Sequence, residues 1–176
     1  MRLANGPHRF GVVTRALHWI IALAVIGMLV FGTYIARMEV GLSNYMLFTW
    51  HKSIGVTIWA LVVLRLVWHR VSPPPGPMGA GWQTALARVV HVALYLLLLA
   101  VPVTGYIASA ASGIDVQVWG LTLPNPVTAS ETTEATYFAL HGVLTKLMAG
   151  LLLLHVAGAL HRRDGTLRRM VTGEAG

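Results

Sequence analysis

A chain of 176 residues that is 56% hydrophobic and only 11% charged falls outside the range of soluble domains, in which about a quarter of residues are charged. Its net charge of +7 does not mark a nucleic-acid binder, because the basic residues bracket apolar runs instead of forming one patch. The absence of cysteine excludes iron–sulfur ligation, thiolate zinc sites, disulfides and the covalent C-x-x-C-H attachment of haem.

Four apolar runs of membrane-spanning length follow one another, over about 16–36, 51–69, 89–110 and 137–160. They predict an all-α membrane protein, a four-helix transmembrane bundle forming a single domain over residues 1–176, with no internal repeat evident. The first run follows a basic segment, as the core of a signal peptide does. It is long for one, lacks a small-residue cleavage site and contains His18, so it is expected to be retained. Trp50 and Trp68 frame the second run about 27 Å apart along a helix, which suits two interfacial belts. A stiff proline-rich connection over 71–82 leads to the third run, where Pro102 predicts a kink. The 111–136 connection before the fourth run is the longest.

Basic residues set the orientation. Arg2, Arg9, Arg15, Arg65, Arg70, Arg88, Arg162, Arg163, Arg168 and Arg169 share one side. The other side holds Arg37 and Lys52 with the acids Glu39, Asp115, Glu131 and Glu134. The positive-inside rule places both termini in the cytoplasm.

The histidines then sort by depth. His51 opens the second run and His141 the fourth, both at the outer face, and no other histidine lies at that level. His155 stands fourteen residues after His141, which in a helix is about 21 Å of rise and a return to within roughly 40° of the same face. At the inner face His18, His69, His91, His155 and His161 are available; His18 is the first choice as partner of His155, and His91 is its substitute. Ionisable groups inside a span are costly and point to function. Histidines at two matched depths suit the axial ligation of two haems held without covalent bonds. The plain alternative, an interfacial or packed imidazole, is kept for His8, His69 and His161, although His161 could line a cofactor site. A transition-metal transporter or metal-binding module would use the same side chains. It would also need acidic or polar partners, yet no Asp or Glu lies in any run, and Lys146 in the fourth opposes cation passage.

Arg65 stands fourteen residues after His51, at the inner depth. It either snorkels to the interface or forms a bidentate pair with an inner-haem propionate. Arg15 and Arg88, three residues before His18 and His91, are placed for the same propionates, and Lys52 for a propionate of the outer haem. Lys146, between the two levels, is open to snorkelling, to a propionate pair or to raising a haem potential. Gly55, one turn after His51, either gives a porphyrin room or serves ordinary helix packing.

Taken in order, these segments resemble the bacterial cytochrome b561 family. The resemblance rests on R-x-x-HW (Arg15 to Trp19), HKSIG and the run to Arg70 followed by PPP, A-x-x-x-H-x-x-L-Y-L-L with PVTGY, the outer WGLTLP, the His141/His155 pair and RDGTLRRM. It covers most of the chain. It implies a small four-helix, quinone-linked protein with two haem b groups, one held by His18 and His155 and the other by His51 and His141, with His91 beside the inner haem. One departure is the short run from His155 to RDG, where the family commonly has a His pair and only His161 stands here.

With both axial positions filled by imidazole, outer-sphere electron transfer is favoured over chemistry at the iron. Free-standing members of the family include superoxide oxidases. The resemblance therefore implies a haem-dependent oxidoreductase of the bacterial inner membrane, surrounded by lipid bilayer, with superoxide as electron donor and ubiquinone or another membrane quinone as acceptor. The alternative is a cytochrome b subunit that anchors a dehydrogenase or hydrogenase; the chain's shortness favours the first reading. Against it, an anionic substrate is steered by positive potential, whereas the outer loops hold two bases against four acids.

Overall fold

The computed structural model describes residues 2–39, 41–162 and 164–174; Arg163, one of the basic residues expected on the inner side, lies outside these. Four helices are long and apolar enough to cross a membrane: α1 (Val12–Ile35), α2 (Tyr45–Val71), α3 (Trp82–Ala111) and α4 (Glu131–His161). A hairpin of β1 (Val116–Val118) and β2 (Leu121–Leu123) lies between α3 and α4, and a short α5 (Thr166–Thr172) follows α4. The molecule is a helical membrane bundle.

Three of the four helices overrun both ends of their apolar runs, because a helix continues through the polar interface as long as its ends are satisfied. The start of α4 shows how. The Ser130 hydroxyl accepts the Thr133 N–H at 3.3 Å, and Glu131 and Glu134 sit in the first turn, where the helix dipole favours acids. The Ser130 N–H donates to the Ala111 carbonyl at 2.9 Å, tying the start of α4 to the end of α3. As a result His51 lies six residues inside α2 and His141 ten residues inside α4, deeper in their helices than the apolar runs suggest. α3 runs on as one helix through Pro102.

Two helical hairpins make the bundle. α1 packs along α2, α3 along α4, and α2 touches α3, but α1 and α4 make no comparable contact among the described residues. The buried centre consists of Ile21 and Val25 from α1, Ile58 and Val62 from α2, Val101 from α3 and Met148 from α4. In every helix these residues fall between the two histidine levels, named outer and inner after the orientation expected from the sequence, so the apolar core is a layer at mid-depth. Leu23, Val30, Leu64, Leu96 and Leu153 are exposed on the outside of the bundle. In water such a surface would aggregate; here it is the lipid-facing side.

Each end has its own small structure. At the outer end the hairpin turns at Trp119 (φ 51) and Gly120 (φ 83), two positive values that match the twist of a two-residue turn. It buries Val116 and Val118 against Ala110, and the Trp119 N–H and indole N–H donate to Ser53 and Thr57 of α2 at 3.1 and 3.0 Å. At the inner end the segment before α1 is tied to the end of α2 through Asn5 and Ser72, and Trp68 donates to Thr14 at 2.9 Å. α5 folds beneath them. Its Arg169 is buried, donates to the Gly76 carbonyl at 2.8 Å and lies 4.8 Å from the centre of the Phe10 ring.

Candidate functional site

At the outer level His51 of α2 and His141 of α4 meet edge-on, with ring centres 6.4 Å apart and ring planes 77° to one another. Glycines give both rings their room. A Cβ on Gly32 of α1 would lie 3.0 Å from His51 Cε1, and a Cβ on Gly105 of α3 would lie 3.0 Å from His141 Cε1. His141 Nδ1 lies 2.9 Å from the Val101 carbonyl and 3.3 Å from the Thr104 hydroxyl, which itself donates to that carbonyl at 2.8 Å. A carbonyl only accepts, so Nδ1 carries the proton and Nε2 is left with its lone pair free to bind a metal. His51 Nδ1 is buried with no hydrogen-bond partner among the described residues. Lys52 stands beside it, half-buried.

At the inner level His18 of α1 and His155 of α4 have ring centres 6.2 Å apart, across the seam where their helices do not pack. His91 of α3 is nearer to His155, at 5.1 Å, so three imidazoles meet here. Trp19 lies edge-on to His18 at 5.3 Å. Arg65 donates from Nε to the Tyr95 hydroxyl at 2.8 Å and is within charge–charge range of His18, His91 and His155.

Opposed imidazoles at these spacings fit a metal held between them. Two nitrogens each about 2 Å from one ion put the ring centres roughly 6 Å apart. The seams where α4 makes no comparable contact with α1 or α2 among the described residues, the glycine cradles and the orphaned nitrogen of His51 suit a flat macrocycle that these imidazoles would hold. Among the described residues no group of three or more His, Cys, Asp or Glu forms a cage for a bare ion, the arrangement a metal carrier would use.

Other candidates fall elsewhere. Arg15 donates to the Val171 carbonyl of α5 at 2.5 Å. Arg88 and Lys146 are exposed on α3 and α4. His8 is exposed; His69 has a buried Nε2 without a partner among the described residues. His161 is exposed and lines a cavity of about 480 Å³ with Gln83, Leu160, Arg162 and Asp164. A Cβ on Gly55 would meet only Met28, at an ordinary 3.9 Å, so that glycine serves helix packing. Sequence reasoning missed Gly32, Gly105, Thr104 and Tyr95. A glycine or threonine in a span usually serves packing, and nothing local shows which one faces an imidazole of another helix.

A helical membrane bundle that brings pairs of imidazoles together inside its spans at two levels has the construction of a membrane cytochrome b. A family profile described as prokaryotic cytochrome b561 matches residues 9–173, and the chain belongs to that family of haem b electron-transfer proteins. It is 37% identical to cytochrome b561 homolog 2 of Escherichia coli strain K12, over 97% of this chain and 95% of that protein. It is 31% identical to cytochrome b561 homolog 1 of the same organism, over 93% and 97%. It is 27% identical to the probable superoxide oxidase CybB of Yersinia pestis, over 96% and 98%.

Proposed function

We propose that this chain binds two haem b groups, between His51 and His141 and between His18 and His155, and passes single electrons from superoxide to ubiquinone. The carrying observation is the pair of opposed imidazole sets at two depths, 6.4 and 6.2 Å between ring centres. The resemblance to a probable superoxide oxidase supports the choice of donor. Bound haem supplies the reversible one-electron couple. Two superoxide anions each lose one electron and leave as dioxygen; ubiquinone takes both electrons and two protons and becomes ubiquinol.

The chain's own residues set the conditions. His141, pinned by Val101, holds its ring and tautomer through both redox states. Lys52 puts a positive charge next to the outer pair, where an anion arrives. Arg65, held by Tyr95, puts a fixed positive charge at the inner level and favours the reduced state there. The mid-depth layer of Ile21, Val25, Ile58, Val62, Val101 and Met148 keeps water from the path between levels. The proposed setting is the bacterial inner membrane with both termini in the cytoplasm, from the distribution of arginines.

Anaerobic stopped-flow mixing of the holoprotein with superoxide, followed at the haem bands, tests the reading. Rapid reduction, then reoxidation on adding ubiquinone, is expected. Reduction no faster than that of free haem rejects it, and co-purification with a dehydrogenase would favour the anchoring subunit instead.

A further inference from the structure

A second site lies at the inner end of the bundle, away from the histidines. The segment before α1 folds back so that the Val12 and Val13 N–H groups donate to the Arg2 and Leu3 carbonyls at 3.1 and 3.3 Å. The Asn5 side chain braces this turn by accepting the Gly11 N–H and donating to the Ser72 carbonyl, at 2.8 and 2.7 Å. The Phe10 N–H donates to the Gly173 carbonyl at 3.1 Å and closes the turn against the end of α5. Between them is a cavity of about 70 Å³, walled by Arg2, Arg9 and Arg15 on one side and by Thr172, Gly173 and Glu174 on the other. That is room for a group the size of a few water molecules.

Its charge is out of balance. Three arginines line it against one acidic residue, and the carboxylate of that residue, Glu174, is paired to Arg9 at 3.2 Å in an exposed contact. Arg15 gives one N–H to Val171, while its Nε is sealed from water with no partner among the described residues. A buried guanidinium donor left unmet is costly, and three like charges around one small cavity repel unless an anion lies among them. The depth is also informative. α1 begins at Val12, so the cavity sits level with the first turn of a spanning helix, where headgroups lie; Ile20 and Leu23, further along, are already exposed to the hydrocarbon side.

We propose that this cavity binds the phosphate of an anionic phospholipid, with Arg2, Arg9 and Arg15 as donors. With the termini in the cytoplasm, as proposed above, this is the side on which basic pockets of membrane proteins take such headgroups. Bound there, the lipid would tie the start of α1 to α5.

Native mass spectrometry of the holoprotein, titrated with phosphatidylglycerol or phosphatidylcholine, tests this. Preferential binding of phosphatidylglycerol is expected. The double variant Arg2→Gln/Arg9→Gln should weaken it roughly 30-fold, at about fivefold for each basic side chain near an anionic surface, while leaving the haem spectrum unchanged. Arg70→Gln, an exposed inner-side control outside the cavity, should have little effect. Inorganic phosphate is the second arm: if it binds wild type at low concentration and displaces the lipid, the phosphate site stands and free phosphate is its source. No preference for phosphatidylglycerol over phosphatidylcholine in wild type overturns the proposal, whatever the variants do. An equal loss in Arg70→Gln also overturns it, leaving only general surface attraction.

Discussion

The two glycines beside the outer imidazoles make opposite demands from most glycines in helices. Replacing a helical Gly by Ala normally gains up to about 1 kcal/mol. Gly27, with nothing within 4 Å of its would-be Cβ, should follow that rule in a Gly27→Ala variant. Gly32→Ala and Gly105→Ala should instead lose stability, by about 1–3 kcal/mol of overpacking, and should lower occupancy of the outer haem alone. Gly105→Ala should be the worse, because the Val101 carbonyl holds His141 in place while His51 has no such tether. Haem spectra and thermal unfolding of the three variants decide it. Arg65 offers a second test at this scale. Arg65→Ala removes the fixed charge near His18 and His155, so the inner-haem potential should fall while the outer one stays nearly unchanged. Arg65→Lys should restore part of it, since a lysine keeps the charge but not the planar fork. Redox titration gives the answer, and an unmoved inner potential would leave Arg65 as an interfacial anchor. The histidines and Arg65 were legible in the sequence because ionisable groups stand out in apolar runs. The glycines were not, since their role depends on an imidazole from another helix.

At the scale of elements, the outer hairpin and α5 are the parts that hydropathy did not reveal. Three-residue strands carry little pattern, and VQVWGLTLP reads as loop until Val116 and Val118 are seen against Ala110. The turn can be tested without touching the bundle. Gly120→Ala meets no atoms, so its cost is the left-handed backbone alone, about 1–2 kcal/mol; amide exchange in 116–123 should rise with the spans unaffected. α5 carries a pH dependence outside the membrane. Partial burial pushes the Asp164 carboxyl up, but hydrogen bonds from Thr166 and Arg162, with the Arg162 charge, outweigh it and bring it below its usual 3.8. A depressed carboxylate stabilises above its unfolded pKa and loses that contribution as pH falls through the folded value. The Thr166 cap and the 2.6 Å Arg162–Asp164 pair should therefore hold α5 unchanged from about pH 8 to 5 and release it only in stronger acid. Limited proteolysis of the tail against pH measures this, and loosening already at pH 6 would contradict it.

For the whole molecule, the four-helix architecture could be read from apolar length alone, and helix ends could not, because capping by Ser130 and interfacial residues extends them past the hydrocarbon. The depth of each histidine was readable, but the choice between His18 and His91 was not. In the structure both lie near His155, at 6.2 and 5.1 Å. Pyridine haemochrome assay should find about two haems per chain. His51→Ala or His141→Ala should remove one haem and His18→Ala or His155→Ala the other, while His91→Ala should keep both. Loss of the inner haem in His91→Ala with retention in His18→Ala would reverse the assignment. Gly32 stands fourteen residues after His18, and Gly105 fourteen after His91; Arg65 stands fourteen after His51, and His155 fourteen after His141. α1–α2 and α3–α4 are thus two renderings of one plan, hidden at the level of sequence similarity: an inner imidazole and an outer glycine on the first helix, an outer imidazole and an inner basic side chain on the second. His91 is the counterpart of His18, and Arg65 the counterpart of His155. The halves agree at the outer level and differ at the inner one, where one half contributes an imidazole and the other a permanent positive charge.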